Sequence, residues 1–174
     1  VATSGDEDAF SELVREEGDG LFRFLFWSLG RREDALDALQ EVLIRVHRGL
    51  PGLRDAGTRH GWLYRIATNV AHDTRARRKR APASLAAFDE NAETRLGGSP
   101  ELGPSAALEA RETSERLQAA LASLPAELRE PLVLHVVSGM KYREIADSLG
   151  WPIGTVTSRI HAARLALQEA LEPD

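Results

Sequence analysis

Five cations crowd into six positions at Arg75, Arg77, Arg78, Lys79 and Arg80, in a chain that is otherwise acidic. Just upstream stand two aromatic residues, Trp62 and Tyr64, and then Arg65, Asn69 and His72 at intervals of four and three. On a helix those three share one side. Aromatic rings give bases something to stack on, and cations neutralise phosphates. A solvated helix end, where cations suit the macrodipole, is the plainer alternative. The mixture of ring and charge on one element favours a nucleic-acid surface.

A second group lies near the carboxyl end. From Lys141 to Gln168 the pattern is that of two helices joined by a tight turn. Tyr142, Ile145, Ala146 and Leu149 keep helical spacing, Gly150 can take the positive φ that stops a helix, and Pro152 blocks continuation. Val156, Ile160, Ala163 and Leu167 then form the buried stripe of a second helix. Its other faces carry Thr155, Thr157, Ser158, Arg159, His161 and Arg164. This is the layout of a DNA-binding helix-turn-helix, or of an ordinary helical hairpin.

A third face is acidic. Asp34, Asp37, Glu41, Arg45 and Arg48 recur three or four apart, with Gln40 adjoining. Ion pairs on a solvated face or a partner surface both fit that spacing. Catalytic patterns are missing: there is no phosphate-cradling glycine loop and no HExxH pair, and the five histidines are scattered. Cysteine is absent, which excludes disulfides, a thiolate nucleophile and cysteine-ligated zinc. No enzyme activity and no cofactor are expected.

The elements that must position these groups are all helical. An amphipathic stretch from Asp8 to Leu29 is interrupted by Gly18 and Gly20, which predicts a bend or two shorter helices. A second helix presents Leu36, Leu39, Leu43, Val46 and Leu50, and ends at Pro51 and Gly52. Leu53 to Gly61 reads as a loop, and Trp62 to Arg80 as a third helix with Leu63, Ile66, Ala67 and Val70 inward. Residues 81–107 are rich in Ala, Gly, Pro and Ser without sustained period and read as a flexible linker, with Leu85, Phe88 and Leu96 able to dock on a surface. Helical period resumes at Leu108. Pro125 starts a further helix that carries Leu128, Leu132, Val133, Val136 and Val137 inward, with Pro131 inside it.

The expected fold is therefore all-α: a helical domain over residues 1–80, a linker over 81–107 and a second helical domain over 108–174. The formal net charge of -5 gives no overall excess of positive charge, so the distribution matters more than the sum. No apolar run approaches the roughly 20 residues that span a bilayer. A cytoplasmic protein without membrane insertion is expected.

Taken in order, the segments EDALDALQEVLIRVHR (33–48), WLYRIATNVAHDTRARRKR (62–80) and LASLPAELREPLVLHVVSGMKYREIADSLGWPIGTVTSRIHAAR (121–164) resemble the extracytoplasmic-function (ECF) sigma factors of bacterial RNA polymerase. The resemblance covers nearly the whole chain apart from the linker. It implies that the face of Asp37, Gln40, Glu41 and Arg45 docks on the clamp helices of the polymerase largest subunit. It implies minus-ten promoter recognition and melting by Trp62, Arg65, Asn69, His72, Arg75, Arg77, Arg78, Lys79 and Arg80, with Asn69 reading a base taken out of the stack. Thr155, Thr157, Ser158, Arg159, His161 and Arg164 would serve the minus-thirty-five element, with the polymerase flap and an anti-sigma factor as further partners. Thr157 and Ala162 stand where the family usually has basic residues, Leu43 and His47 replace an aromatic pair, and Trp151 replaces a smaller residue. A stand-alone helix-turn-helix regulator and a protein-binding helical adaptor are the alternatives.

Overall fold

The structure is a computed structural model that describes residues 4–52, 56–80 and 104–172. Among these residues there are seven α-helices and no strand. They are α1 (Ser4–Leu29), α2 (Arg32–Gly49), α3 (Arg59–Arg80), α4 (Pro104–Ser123), α5 (Ala126–Ser138), α6 (Tyr142–Leu149) and α7 (Ile153–Leu171), with short 3-10 turns at Leu50–Gly52 and Ala56–Thr58. Most of the linker, with Leu85, Phe88 and Leu96, lies outside the described residues, but Pro104 to Ala107 already belong to α4. Arg59 to Gly61, read as loop from the sequence, open α3.

Helix α1 runs unbroken through Gly18 and Gly20, against the expected bend. The reason is tertiary. A Cβ on Gly20 would sit 2.7 Å from Tyr64 Oη, so this glycine is where α1 lets α3 approach, and burial of Leu13, Leu21, Phe24 and Leu25 outweighs the propensity penalty. The helix stops at Gly30, whose φ of 77° is left-handed and whose N–H donates to Phe26 O at 2.9 Å.

In α2 the buried positions are Ala35, Ala38, Val42 and Val46. Of the stripe expected from the sequence, Val46 is buried and Leu39 and Leu50 pack partly on the core, whereas Leu36 is 44% exposed. Two alanines in the seam allow α2 to pack closely between α1 and α3, and small side chains do so better than leucine. Leu36, Leu43 and Ile44 are left at or near the surface.

In the second half, Pro125 is the N-cap of α5 rather than its first residue, and Pro131 is accommodated inside the continuous helix. Val136, expected inward, is 67% exposed, while Leu134 is fully buried in its place. Gly139 (φ 71°) and Gly150 (φ 68°) close α5 and α6 in the left-handed region. The Glu144 carboxylate accepts the Lys141 N–H at 2.6 Å and so caps the start of α6.

The two halves touch along a seam. Helix α5 packs on α1, α6 on α3 and α4 on α1, and one apolar cluster runs from Leu21 and Phe24 through Leu134, Met140 and Ile145 to Val156 and Ile160. Gln118 Nε2 donates to Gly30 O at 3.2 Å across the seam. The His60 ring bridges it as well, with Nε2 3.2 Å from Ser138 O and Nδ1 3.1 Å from Glu17 Oε1.

Candidate nucleic-acid interface

Helix α3 presents Arg65, Asn69 and His72 together on one exposed side, because Leu63, Ala67, Val70 and Ala71 turn the opposite side into the core. Tyr64 does not join them. It is 1% exposed and meets Phe24 edge-on at 5.6 Å, and burial raises its phenol above the ordinary range, with Glu17 adding to the shift. The stacking role that the sequence offered to two aromatics is left to Trp62, itself half-buried. The Trp62 ring lies over Gly49, where a Cβ would come within 2.8 Å of it.

The basic tail divides in two. Arg77, Lys79 and Arg80 remain exposed, although Arg77 also bonds Thr74 Oγ1 and Arg80 the Ala76 carbonyl, each at 3.2 Å. Arg78 is committed to the fold: its guanidinium donates to Leu29 O at 3.0 Å, at the end of α1, and to Asp34 Oδ2 at 3.2 Å. We expect Arg78→Ala to lower stability by about 1 kcal/mol, the worth of a partly exposed charge-assisted bond. Urea denaturation would check this, and an unchanged midpoint would show that the Leu29 tie contributes nothing.

Arg75 is also engaged. It pairs with Glu130 of α5, whose second carboxylate oxygen lies 2.6 Å from His72 Nε2. Glu130 is 1% exposed, so its carboxyl group sits inside the seam between the halves. Burial lowers the Arg75 guanidinium to about 10, with the charges of Arg129 and Arg78 assisting. Burial also lowers His72, with Arg75 assisting and Asp73 opposing. The Arg75 guanidinium and the His72 ring thus face the two oxygens of one buried carboxyl group.

On α2, Asp37 and Gln40 are exposed. Glu41 accepts Arg45 Nε at 2.8 Å, and Arg45 reaches on to Asp73 Oδ2 at 3.4 Å. The first of these hydrogen bonds is the main cause that raises the Arg45 guanidinium further above neutrality. An acidic edge, the exposed apolar Leu36 and Ile44, and a link to α3 thus share one surface.

In the helix-turn-helix, Val156, Ile160 and Ala163 are buried as expected. Thr157, Ser158, His161 and Arg164 are exposed, and Thr155 and Arg159 are half-buried. The hydroxyls fold back on their own helix, Thr157 Oγ1 onto Ile153 O at 3.0 Å and Ser158 Oγ onto Thr155 O at 3.1 Å. The Thr155 and Val156 N–H groups both donate to Pro152 O. The Arg159 guanidinium lies over the Trp151 ring at 4.1 Å, a cation–π contact that the sequence pattern did not disclose.

Comparison with known proteins gives the same reading for both halves. Residues 13–81 match the family described as Sigma-70 region 2, and residues 114–167 match Sigma-70, region 4. The ECF RNA polymerase sigma-E factor of Escherichia coli (strain K12) is 34% identical over 97% of this chain and 90% of its own length. The ECF RNA polymerase sigma factor SigW of Bacillus subtilis is 32% identical over 96% of this chain and 91% of its own. SigE of Mycolicibacterium smegmatis is 37% identical over 97% of this chain, which spans 65% of that protein's length. Among solved structures, the sigma factor RpoE in complex with the anti-sigma factor NepR from Bartonella quintana superposes with a TM-score of 0.72 at 24% identity, over 97% of this chain and 99% of that one. CnrH in complex with the cytosolic domain of CnrY gives a TM-score of 0.67 at 25% identity, over 97% of this chain and 90% of that one. The chain belongs to the ECF sigma factors of bacterial RNA polymerase.

Proposed function

We propose that the chain binds core RNA polymerase through Asp37, Gln40, Glu41 and Arg45 of α2, reads and opens the minus-ten element through α3, and anchors on the minus-thirty-five element through α7. The observation that carries this reading is the exposed line of Arg65 and Asn69 on a helix whose opposite face is buried in the core. An amide donates and accepts at once, so Asn69 can hydrogen-bond a base edge in both directions and gives selectivity rather than attraction alone. Exposed Arg77, Lys79 and Arg80 would hold phosphates of the separated strand.

The polymerase carries out the chemistry of RNA synthesis, and this chain contributes binding energy and no catalytic step. In the division of labour proposed here, residues 1–80 serve recruitment and melting, 108–174 serve upstream anchoring and flap contact, and 81–107 join them. Control by an anti-sigma factor in the cytoplasm is inferred from the similar sigma factor RpoE, whose structure holds the anti-sigma factor NepR. No helix among the described residues is long and apolar enough to cross a membrane. The test is to add the full chain to core polymerase on a library of promoter sequences and map transcript starts. Starts that cluster behind a shared pair of elements are expected, and folded protein that directs no specific start would overturn the assignment.

A further inference from the structure

The seam between the halves holds an unusual set of charges. Around the buried carboxylate of Glu130 stand Arg75 and His72 of α3, with Arg129 of α5 and Arg78 close enough for their charges to bear on Arg75. Glu130 is the one acidic group among these five residues. A seam built for stability alone would be better served by apolar residues, because desolvation of a buried ion pair offsets most of its attraction. Arg75 and His72 also belong to the helix proposed above to hold promoter DNA. A guanidinium and an N–H donor converging on two oxygens of one anion is the way proteins hold a phosphate.

From this juxtaposition we propose that Arg75 and His72 form a phosphate-binding site for the nucleic-acid backbone, and that Glu130 occupies it as an internal competitor, latching the free chain closed. The proposal rests on the reading of α3 as a DNA-binding helix. In the closed chain Glu130 takes the place of a phosphate oxygen pair, and α6 packs on α3. When the second half is drawn away, Glu130 leaves with it and Arg75 and His72 are freed together. Polymerase, which would hold the two halves at separate promoter elements, supplies such a pull, and naked DNA has to displace Glu130 first. The apparent affinity of the free chain is then its intrinsic affinity multiplied by the small fraction that is open.

The test compares the full wild-type chain with Glu130→Gln for binding a fluorescein-labelled single-stranded oligodeoxynucleotide of mixed sequence, with solution scattering in parallel. The variant keeps the shape of the side chain and removes its charge. Expected are a larger radius of gyration and roughly tenfold tighter binding, the gain when a state about 90% closed is released. Saturating core polymerase should abolish the difference in transcript yield between the two proteins. A folded variant with unchanged scattering and unchanged affinity would overturn the latch. Because the chain has no cysteine, His60→Cys with Ser138→Cys can be joined across the seam by a reducible bismaleimide, which keeps the test open should Glu130→Gln fail to fold. The joined protein should lose oligonucleotide binding and regain it on reduction, and equal binding before and after reduction would also overturn the latch. Failure of the latch with promoter-specific transcripts intact leaves the sigma reading standing, whereas absent transcripts bring down that reading instead.

Discussion

Asn69→Ala is expected to lower promoter opening by about 5- to 150-fold, the equivalent of 1–3 kcal/mol for one well-made base contact. The loss should fall on the preferred promoter and shrink on variants of the minus-ten element that already lack the matching base. Stability is a clean control: Asn69 is exposed in the middle of α3, where alanine is the better helix former, so the urea midpoint should hold or rise slightly. Permanganate footprinting of the melted region, on a small panel of promoter variants, reads the effect directly. A uniform loss across the panel would mean that Asn69 contributes general affinity and no base reading.

Reversing the charge at Asp37 should weaken capture of core polymerase by roughly 30-fold or more, since like charges brought together at an interface cost about 2 kcal/mol upward. Asp37 is the best position for this test because it is exposed on α2, and no ion pair holds it among the described residues. Glu41 is a poorer choice, because its carboxylate also orients Arg45, which in turn reaches Asp73 on α3. Asp37→Arg at moderate salt, measured by competition against a labelled wild-type chain, should therefore separate docking from folding. Undiminished competition would move the polymerase contact away from this face.

Local pattern disclosed the helices and their order, because capping glycines, prolines and a sustained period are written within a few residues of each boundary. It failed where a distant element decides. Gly20 looked like a break and is a point of close approach to Tyr64. The leucines of α2 suggested its buried face, and Ala35, Ala38, Val42 and Val46 form its fully buried line, since a seam between two helices selects for small side chains as well as for hydrophobicity. Glu130 is buried, although nothing near it in sequence signals this, because α3 supplies His72 and Arg75 from more than fifty residues away. The candidate site shows the same split. Arg65, Asn69 and the exposed face of α7 follow from spacing, whereas the commitments of Arg75 and Arg78 arise only from packing.

The stacking of Arg159 on Trp151 bears on the conformational freedom of α7, proposed above as the upstream anchor. A free arginine on a helix surface loses up to about 2 kcal/mol of rotamer entropy when it is fixed at an interface. Arg159 has given up part of that freedom before any ligand arrives, because the indole already holds the plane of its guanidinium. A helix with Thr157 and Ala162 in place of cations releases fewer counterions on binding, so its affinity leans less on low salt. Pre-ordering works in the opposite thermodynamic compartment. For this anchor, titration calorimetry should find a shallower salt dependence together with a smaller entropic penalty than a fully basic, unstacked helix would show.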